Sequence, residues 1–428
     1  MDNLTHALAG LLIAECALQV RSRRGAVPIE GPVGEPAPRS LRTTVAISSL
    51  VAANLPDFDL LYTGAGADSL AYMLHHRGHT HTVLVALVGA VMLWAISLAF
   101  LRWRATSPLT GSDTRWLLAT LTISTLSHLI LDWTNSYGVH PFWPLDSRWF
   151  YGDAVFIVEP WFWVVTIPTL VSAYRSRVAR VLLSVAFIAG LALAWWVPLV
   201  SAGAAAALTA GAALMVLSIR AMKPSARAFT SLGAWMIVTL GMATGSRVAR
   251  ANATHAVQQS APGAELLDIV VTPLPANPLC NTIITVERTG DRYVVQMARV
   301  SAVPGLVKPN ACPVASTGGP TFTASTRRST RSVHWDRQWS ASISELALLR
   351  ASSCATDAAL RFLRVPVWEM RGTSVVRLGD ARFGGTAPGI LSLSVPRVQS
   401  ECVVPVPPWP PPRSDVLRKP SGKAERKR

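Results

Sequence analysis

Histidines and aspartates of the kind that bind metal ions lie at the ends of apolar segments in the first third of this chain. Seven of the nine histidines precede residue 141. His6 opens the first apolar segment, and His79 and His81 lead into a later one. His128 lies in another segment, four residues before Asp132. Ionisable residues in membrane-type helices are energetically costly and indicate functional sites. The pattern therefore predicts a metal centre.

The spacing of these residues fits metal coordination. His128 and Asp132, four residues apart, share one face of a helix. In an extended segment, side chains two residues apart point to the same side, as would those of Asp57 and Asp59 and those of His79 and His81. Zinc accepts imidazole and carboxylate ligands in this mixture. The six candidates at positions 6, 57, 79, 81, 128 and 132 exceed one tetrahedral site. We therefore expect a centre of one to three divalent ions, with zinc preferred.

The composition identifies the elements that must position these residues. Half of the 428 residues are hydrophobic and only 15% are charged, which is typical of a polytopic membrane protein with a soluble appendage. The net charge of +16 lies largely in short loops between apolar segments and in the last 16 residues. No zinc finger and no mixed aromatic and basic stretch accompanies it. We therefore expect no nucleic-acid partner.

The apolar segments predict eight membrane-spanning helices. A span needs about 20 apolar residues, although about 17 can suffice. Lysine and arginine residues are concentrated in every second loop between these segments. The positive-inside rule places such loops in the cytoplasm, so the chain start, the ligand-type residues and everything after Ser246 are expected outside it. The segments are Leu4–Val20, Leu41–Leu55, Val83–Leu101, Trp116–Leu131, Ala154–Tyr174, Val181–Ile219 (two spans) and Phe229–Ser246.

A β-rich domain is predicted to follow the membrane domain. Residues 1–246 form the helical part, residues 247–402 an extracytoplasmic domain, and residues 403–428 a disordered tail rich in proline and basic residues. Alternating apolar and β-branched residues predict three strands between Leu266 and Val300 and three more between Val365 and Val395. A helix is expected within Leu346–Leu363.

The cysteines agree with an exported C-terminal domain. Cys16 lies in the first span, and the other four lie in the β-rich part. An even number of cysteines in an exported domain predicts two disulfides. Three pairings are possible, and the spacing does not choose among them. The four residues are Cys280, Cys312, Cys354 and Cys402.

Several motifs together resemble the YdjM-like inner-membrane metal-dependent hydrolase family. The resemblance is strong over residues 1–165 and extends weakly to Thr272–Pro278 and Leu378–Phe383. It favours His81 over His79 as a ligand, because many members have a small or hydrophobic residue at the latter position. The motifs are MDNLTHALAG at 1–10, NLPDFD at 54–59, HRGHTH at 76–81, the pattern HxxxDxTNxYG at 128–138, PF at 141–142 and EP at 159–160.

The resemblance implies a membrane hydrolase. The family is thought to be related to zinc-dependent phospholipase C, an all-helical enzyme with a multi-zinc centre, which implies phosphoester hydrolysis at the bilayer surface with a lipid phosphate as substrate. The expected metal ligands are His6, Asp57, His81, His128 and Asp132. The expected catalytic or outer-shell residues are Asp59, His79, Glu159 and Arg77, the last binding a substrate phosphate.

Two other classes of protein are compatible with the same residues. A non-enzymatic metal-binding protein or transporter would use similar ligands, but transporters place them near the bilayer midplane on broken helices. An intramembrane metalloprotease is less favoured because no His-Glu-x-x-His motif occurs in the chain.

Overall fold

The computed structural model describes residues 1–23, 39–64, 68–104, 110–315, 318–402 and 404–417. Within these ranges it is a helical bundle followed by a C-terminal β domain, which confirms the predicted fold class. The eight main helices match the eight predicted segments. They are α1 (Asn3–Arg23), α2 (Arg39–Asn54), α5 (Val83–Arg104), α6 (Gly111–Trp133), α7 (Pro160–Ala173), α8 (Arg177–Trp196), α9 (Ala202–Ala221) and α10 (Pro224–Ser260).

Six of these helices are long and apolar enough to cross a membrane. The other two are α6, which carries Asp113, Arg115 and Asp132, and α7, which has 14 residues. A helix of 20 residues spans about 30 Å, the thickness of the hydrocarbon core. The lengths and composition therefore agree with a multi-pass membrane domain.

A glycine allows the first two helices to approach closely. A Cβ atom on Gly10 of α1 would lie 2.4 Å from the carbonyl oxygen of Ser49 on α2. No side chain fits at that distance, so glycine is required for this packing. The contact aligns the first turn of α1, which carries His6, with the last turn of α2 and the acidic residues that follow it.

The chain between α2 and α5 is folded at one end of the bundle. A 3₁₀ helix, Leu55–Asp59, contains Pro56 in its first turn, and two short helices follow, α3 (Leu60–Thr63) and α4 (Ser69–His75). Arg77 then adopts a left-handed backbone conformation with φ of 59°, which turns the chain sharply before α5. This segment places aspartates and histidines beside the ends of α1 and α6.

The β domain contains two antiparallel sheets. The larger sheet has the order β1-β2-β3-β5-β4, and the smaller has the order β6-β7-β8. Strand β5 was not predicted, although its apolar residues alternate at Val333, Trp335 and Trp339. The strands are β1 (Glu265–Leu274), β2 (Asn277–Thr289), β3 (Arg292–Ser301), β4 (Thr323–Ala324), β5 (Val333–Ser342), β6 (Pro366–Arg371), β7 (Val375–Asp380) and β8 (Ser392–Pro396). The remaining helices are α11 (Ile343–Ser352), α12 (Cys354–Ala359) and α13 (Ser414–Leu417).

The two parts of the molecule are joined by a continuous helix. Helix α10 runs through position 246, where the domain boundary was expected, to Ser260, and β1 begins at Glu265. Small residues of its last turns, including Ala249 and Ala253, pack against Ile269, Ile283 and Trp335 of the larger sheet. The β domain is thereby fixed at the end of the bundle that carries the ligand-type residues.

The C-terminal segment differs from its expected disorder. Trp409 and Val416 are fully buried, and the Arg361 guanidinium donates a hydrogen bond to the Pro407 carbonyl. Residues 418–428 of the predicted tail lie outside the described residues. The two predicted disulfides are confirmed, with the pairings Cys280–Cys312 and Cys354–Cys402.

Candidate metal centre

Four predicted ligands converge on one point at the end of the bundle. Asp57 follows α2, His81 precedes α5, and His128 and Asp132 share one face of α6. One ligand-type atom from each residue lies within 4.8 Å of the others. The side chains of His81, His128 and Asp132 are fully buried, and that of Asp57 is nearly so.

The distances between these atoms fit a tetrahedral ion. His81 Nε2 lies 3.1 Å from His128 Nε2 and 3.1 Å from Asp132 Oδ2. Asp57 Oδ1 lies 3.3 Å from His81 Nε2 and 3.6 Å from His128 Nε2. Metal–ligand bonds of roughly 2.0–2.1 Å in a tetrahedron require ligand atoms about 3.3 Å apart. The donor set and its dimensions therefore suit a small divalent ion.

The backbone of α2 orients the His128 ring. His128 Nδ1 lies 2.7 Å from the carbonyl oxygen of Ala53, so Nδ1 carries the proton and donates to it. In this neutral tautomer the lone pair of Nε2 faces the other three ligand atoms. Metal-binding histidines commonly donate their second ring proton to a carbonyl in this way.

A relay of hydroxyl and carboxylate groups orients His81. Its Nδ1 atom lies 3.0 Å from the Thr80 hydroxyl oxygen, which in turn donates to Asp59 Oδ2 at 2.9 Å. Asp59 also accepts a hydrogen bond from the Arg77 backbone N–H. Asp59 therefore lies behind His81 and fixes its direction, rather than being one of the four converging groups.

His6 lies against the four-residue cluster without being one of its members. Its ring stacks on His128 with centroids 3.7 Å apart, and its Nε2 atom lies 3.3 Å from Asp132 Oδ1. Both ring nitrogens of His6 are buried and have no hydrogen-bond partner among the described residues. Buried polar atoms are normally paired, so His6 is available for a fifth ligand bond.

A second group adjoins the first. Asp57, Asp59 and His76 also place one ligand-type atom each within 4.8 Å of one another, and Asp57 is common to both groups. His76 Nδ1 lies 3.1 Å from Asp59 Oδ1. Burial lowers the pKa of His76, which keeps the imidazole neutral and able to bind metal. Two groups of ligand-type residues that share one carboxylate are typical of a centre with two metal ions.

Arg77 brings a positive charge to the same carboxylates. Its Nη2 atom lies 2.8 Å from Asp132 Oδ1, and its Nη1 atom donates to the Asn135 side chain. The guanidinium lies over the Tyr137 ring, 4.6 Å from the centroid. Arg77 Nε and the Asn135 amide nitrogen are buried donors without a partner among the described residues. They could bind the oxygens of an anionic ligand.

Aromatic residues cover the outer side of the centre. His79 lies 4.6 Å from the Trp143 ring and 4.8 Å from the Trp409 ring, measured between centroids. His140 stacks on Trp409 with centroids 4.4 Å apart, and burial lowers the pKa of His140 to about 3. His79, expected to be catalytic, is thus placed in this aromatic cover and outside the ligand cluster.

Glu159, also expected to be catalytic, has a different environment. It precedes α7 and accepts hydrogen bonds from the backbone N–H groups of Trp161 and Ala276. Burial raises the pKa of Glu159 to about 8. Its hydrogen-bond partners thus lie at the start of α7 and in the turn between β1 and β2. Glu159 belongs to neither metal-ligand group.

Some residues of the centre were not predicted from the sequence. The residue pattern alone assigns no role to His76, Asn135 or Tyr137. All three lie within the motifs that carry the family resemblance, which is the signal that could have found them. Trp409 is separated from His79 by 330 residues, and no pattern in the proline-rich segment indicates its position.

Comparison with protein families identifies the membrane part. The model of the family described as YdjM inner membrane protein matches residues 1–205. This part of the chain is therefore similar to that family. The match covers α1 to the first residues of α9, including all members of both metal-ligand groups. The protein is therefore a multi-pass inner membrane protein, in agreement with its apolar helices. No curated protein and no solved structure matches the chain.

Proposed function

We propose that the protein is a metal-dependent hydrolase of phosphoesters, with zinc as the preferred ion. The convergence of Asp57, His81, His128 and Asp132 on one buried point carries this proposal. A mixture of two imidazoles and two carboxylates suits zinc. The buried cluster supports metal binding, and hydrolysis of a phosphoester is the further step of the proposal.

The residues around the cluster suit a phosphoryl substrate. A divalent ion held there would lower the pKa of bound water to roughly 7 and polarise a phosphoryl oxygen. Arg77 Nε and the Asn135 amide would donate to the remaining phosphoryl oxygens, since both are buried and without partners. Water adds to phosphorus, the ester P–O bond breaks, and the alcohol leaves with a proton.

Within the cluster, the carboxylates and histidines divide into two roles. The four converging groups, with His6 beside them, would hold the first ion. Asp59 and His76 would hold a second ion through the shared Asp57 or, with one ion bound, would orient His81 and accept a proton. The aromatic cover formed by His79, Trp143 and Trp409 would keep bulk water from the reacting atoms.

A lipid phosphate is the substrate class that the location favours. The cluster lies where α1, α2, α5 and α6 meet at one end of the bundle, and the β domain is fixed at that end. A phosphoester at a membrane surface would lie at this level. Ligands at a membrane face, and not at the midplane, favour an enzyme over a transporter.

The direct test combines metal analysis with an activity assay. Purified protein should contain stoichiometric zinc or another divalent ion and should hydrolyse bis-p-nitrophenyl phosphate or phosphatidylcholine in mixed micelles. A chelator should abolish the activity, and the ion should restore it. His128→Ala should lose both, whereas His255→Ala, at an exposed position on α10, should retain both. Metal content without hydrolysis of any phosphoester would favour the non-enzymatic alternative.

We also propose that the centre and the β domain face the periplasm or its equivalent. The alternation of basic loops supports this orientation, and so do the two disulfides of the β domain, because such bonds persist in oxidising compartments. A reporter active only outside the cytoplasm should be active when fused after Val257 and inactive when fused at Ala105. The reverse pattern would place the centre in the cytoplasm.

A further inference from the structure

An apolar cavity separate from the metal centre lies between α9, α10 and the β domain. Its volume is about 550 Å³, within the roughly 300–1,000 Å³ that small-molecule pockets occupy. Helix α9 contributes Gly203, Ala204 and Ala207, and α10 contributes Val238, Gly241 and Met242. Both helices pack on α7, whose Trp161 also lines the cavity.

The turn between β1 and β2 closes the cavity at one end. Trp161 Nε1 donates to the Ala276 carbonyl, and the Ala276 N–H donates to Glu159. A Cβ atom on Gly245 would lie 2.0 Å from the Pro278 carbonyl oxygen, so the start of β2, next to the turn, lies directly on α10. The cavity therefore lies at the junction of membrane domain and β domain, the level of the membrane surface.

The lining of the cavity is mainly apolar, and the oxygens of its two polar side chains already accept hydrogen bonds. The Ser201 hydroxyl caps α9 by accepting from the Ala204 N–H, and the Asn277 side chain accepts from the Leu279 N–H. The other lining residues from α9 and α10 are glycine, alanine, valine and methionine. Burial of a polar group against such a lining costs free energy, so the cavity favours an apolar occupant.

The surface beside the cavity is continuous with the lipid-facing surface of the bundle. Ile237 and Leu240, next to the lining residues Val238 and Gly241, are 72% and 64% exposed. Large apolar residues exposed on membrane-spanning helices contact lipid tails. An acyl chain therefore reaches the cavity from the bilayer without crossing a polar surface.

We propose that this cavity binds one acyl chain of a membrane lipid. The site is distinct from the metal centre, because none of the residues that line the cavity belongs to either metal-ligand group. The proposal goes beyond the hydrolase function and does not depend on it. The bound lipid would brace the β1–β2 turn, and hence the β domain, against the bundle.

Two glycines provide variants that fill the cavity. A Cβ atom on Gly203 or on Gly241 meets no atom within 4 Å, so a larger side chain enters the cavity without a backbone clash. Gly233 of α10 also has open space around its Cβ position and does not line the cavity, so Gly233→Leu is a matched control. Gly203→Val and Gly241→Leu are on different helices, so either variant can test the cavity if the other does not fold.

The experiment uses the full chain in phosphatidylcholine nanodiscs containing a phosphatidylcholine with a diazirine on its acyl chain. After irradiation, peptides with residues 203–207 and 238–242 should carry the label. Gly241→Leu and Gly203→Val should lower this labelling about tenfold, because they displace about two methylene groups, whereas Gly233→Leu should not. Equal labelling in all variants, or labelling confined to exposed residues such as Ile237, would overturn the proposal. Neither result depends on hydrolysis.

Discussion

Two buried clusters of charge in this protein are built from similar carboxylates and have different chemistry. In the first, Arg364 pairs with both oxygens of Asp153 at 2.8 and 2.9 Å and with Asp268 at 2.8 Å. This cluster joins the membrane domain to the β domain. In the second, the metal centre, Asp57 and Asp132 face the nitrogens of His81 and His128.

The difference lies in whether the polar atoms are satisfied. Each carboxylate of the domain-joining cluster has a guanidinium within hydrogen-bond distance, and Arg250 adds a further cation beside Asp153. In the metal centre, His6, Arg77 Nε and Asp132 Oδ2 have no hydrogen-bond partner among the described residues. A saturated cluster stabilises an interface, whereas a converging, unsaturated one is suited to bind a ligand.

The largest expected effect comes from breaking the saturated cluster. Arg364→Met would leave Asp153 and Asp268 buried without their main cation, which should destabilise the protein by about 3–5 kcal/mol. Thermal unfolding in detergent would measure this loss. Arg148→Met, which removes an exposed pair with Asp146, should change little. A wild-type melting temperature for Arg364→Met would contradict the role given to this cluster.

The next prediction compares the metal content of one variant from each cluster. Asp132→Ala should weaken metal binding by more than about 100-fold, because loss of even an outer partner costs about 10–100-fold. Asp153→Asn, in the domain-joining cluster, should destabilise the protein and leave its metal content unchanged. Elemental analysis of the purified variants checks both. Equal metal content in Asp132→Ala and wild type would remove Asp132 from the ligand set.

A smaller effect is expected from Asp59, which acts through another residue. Asp59→Asn weakens the Thr80 relay that orients His81, so metal affinity should fall by about 10–100-fold without loss of all binding. Competition with a chromogenic chelator would measure the affinity. A loss as complete as that of Asp132→Ala would instead assign Asp59 as a direct ligand.

The last prediction concerns Glu159, a buried carboxyl with no cation beside it among the residues that the structure describes. Its pKa is raised from 4.5 to about 8 by burial, so the folded protein holds the proton more tightly than the unfolded chain. The stabilisation is complete below about pH 4.5 and is lost as pH rises to about 8. Glu159→Gln should therefore lose less stability than wild type over this range. Parallel pH profiles of the two melting temperatures would contradict the assignment.

The helices and the grouping of the ligand-type residues were predictable because the sequence patterns that indicate them are local. Apolar runs of spanning length identify the eight helices, and the four-residue spacing of His128 and Asp132 survives folding because α6 is regular. The two disulfides followed from cysteine number and compartment, although their pairing needed the structure. The orientation of the helices, which rests on the basic loops, stays a prediction, whereas the convergence of the ligand-type residues at one end of the bundle is seen in the structure.

The remainder depended on backbone geometry and long-range contacts. His79 and His81 were expected to point to one side of an extended segment, but the left-handed turn at Arg77 leads into a loop. There His81 enters the centre and His79 joins the aromatic cover. The Glu159 side chain is a carboxylate that could bind a metal ion, but it accepts a hydrogen bond at the start of α7 instead. Neither outcome is encoded in residue type, because both depend on which partner arrives from elsewhere in the chain.

The position of Trp409 in the chain has a consequence for how the centre is completed. The candidate ligands end at Asp132, and Trp409 is the 277th residue synthesised after it. At about 5–20 residues per second, this takes roughly 14–55 s. We expect the membrane part to be inserted by then, with its imidazoles and carboxylates still open to the surroundings. An ion can thus enter from solution first, and the last part of the chain then closes over it.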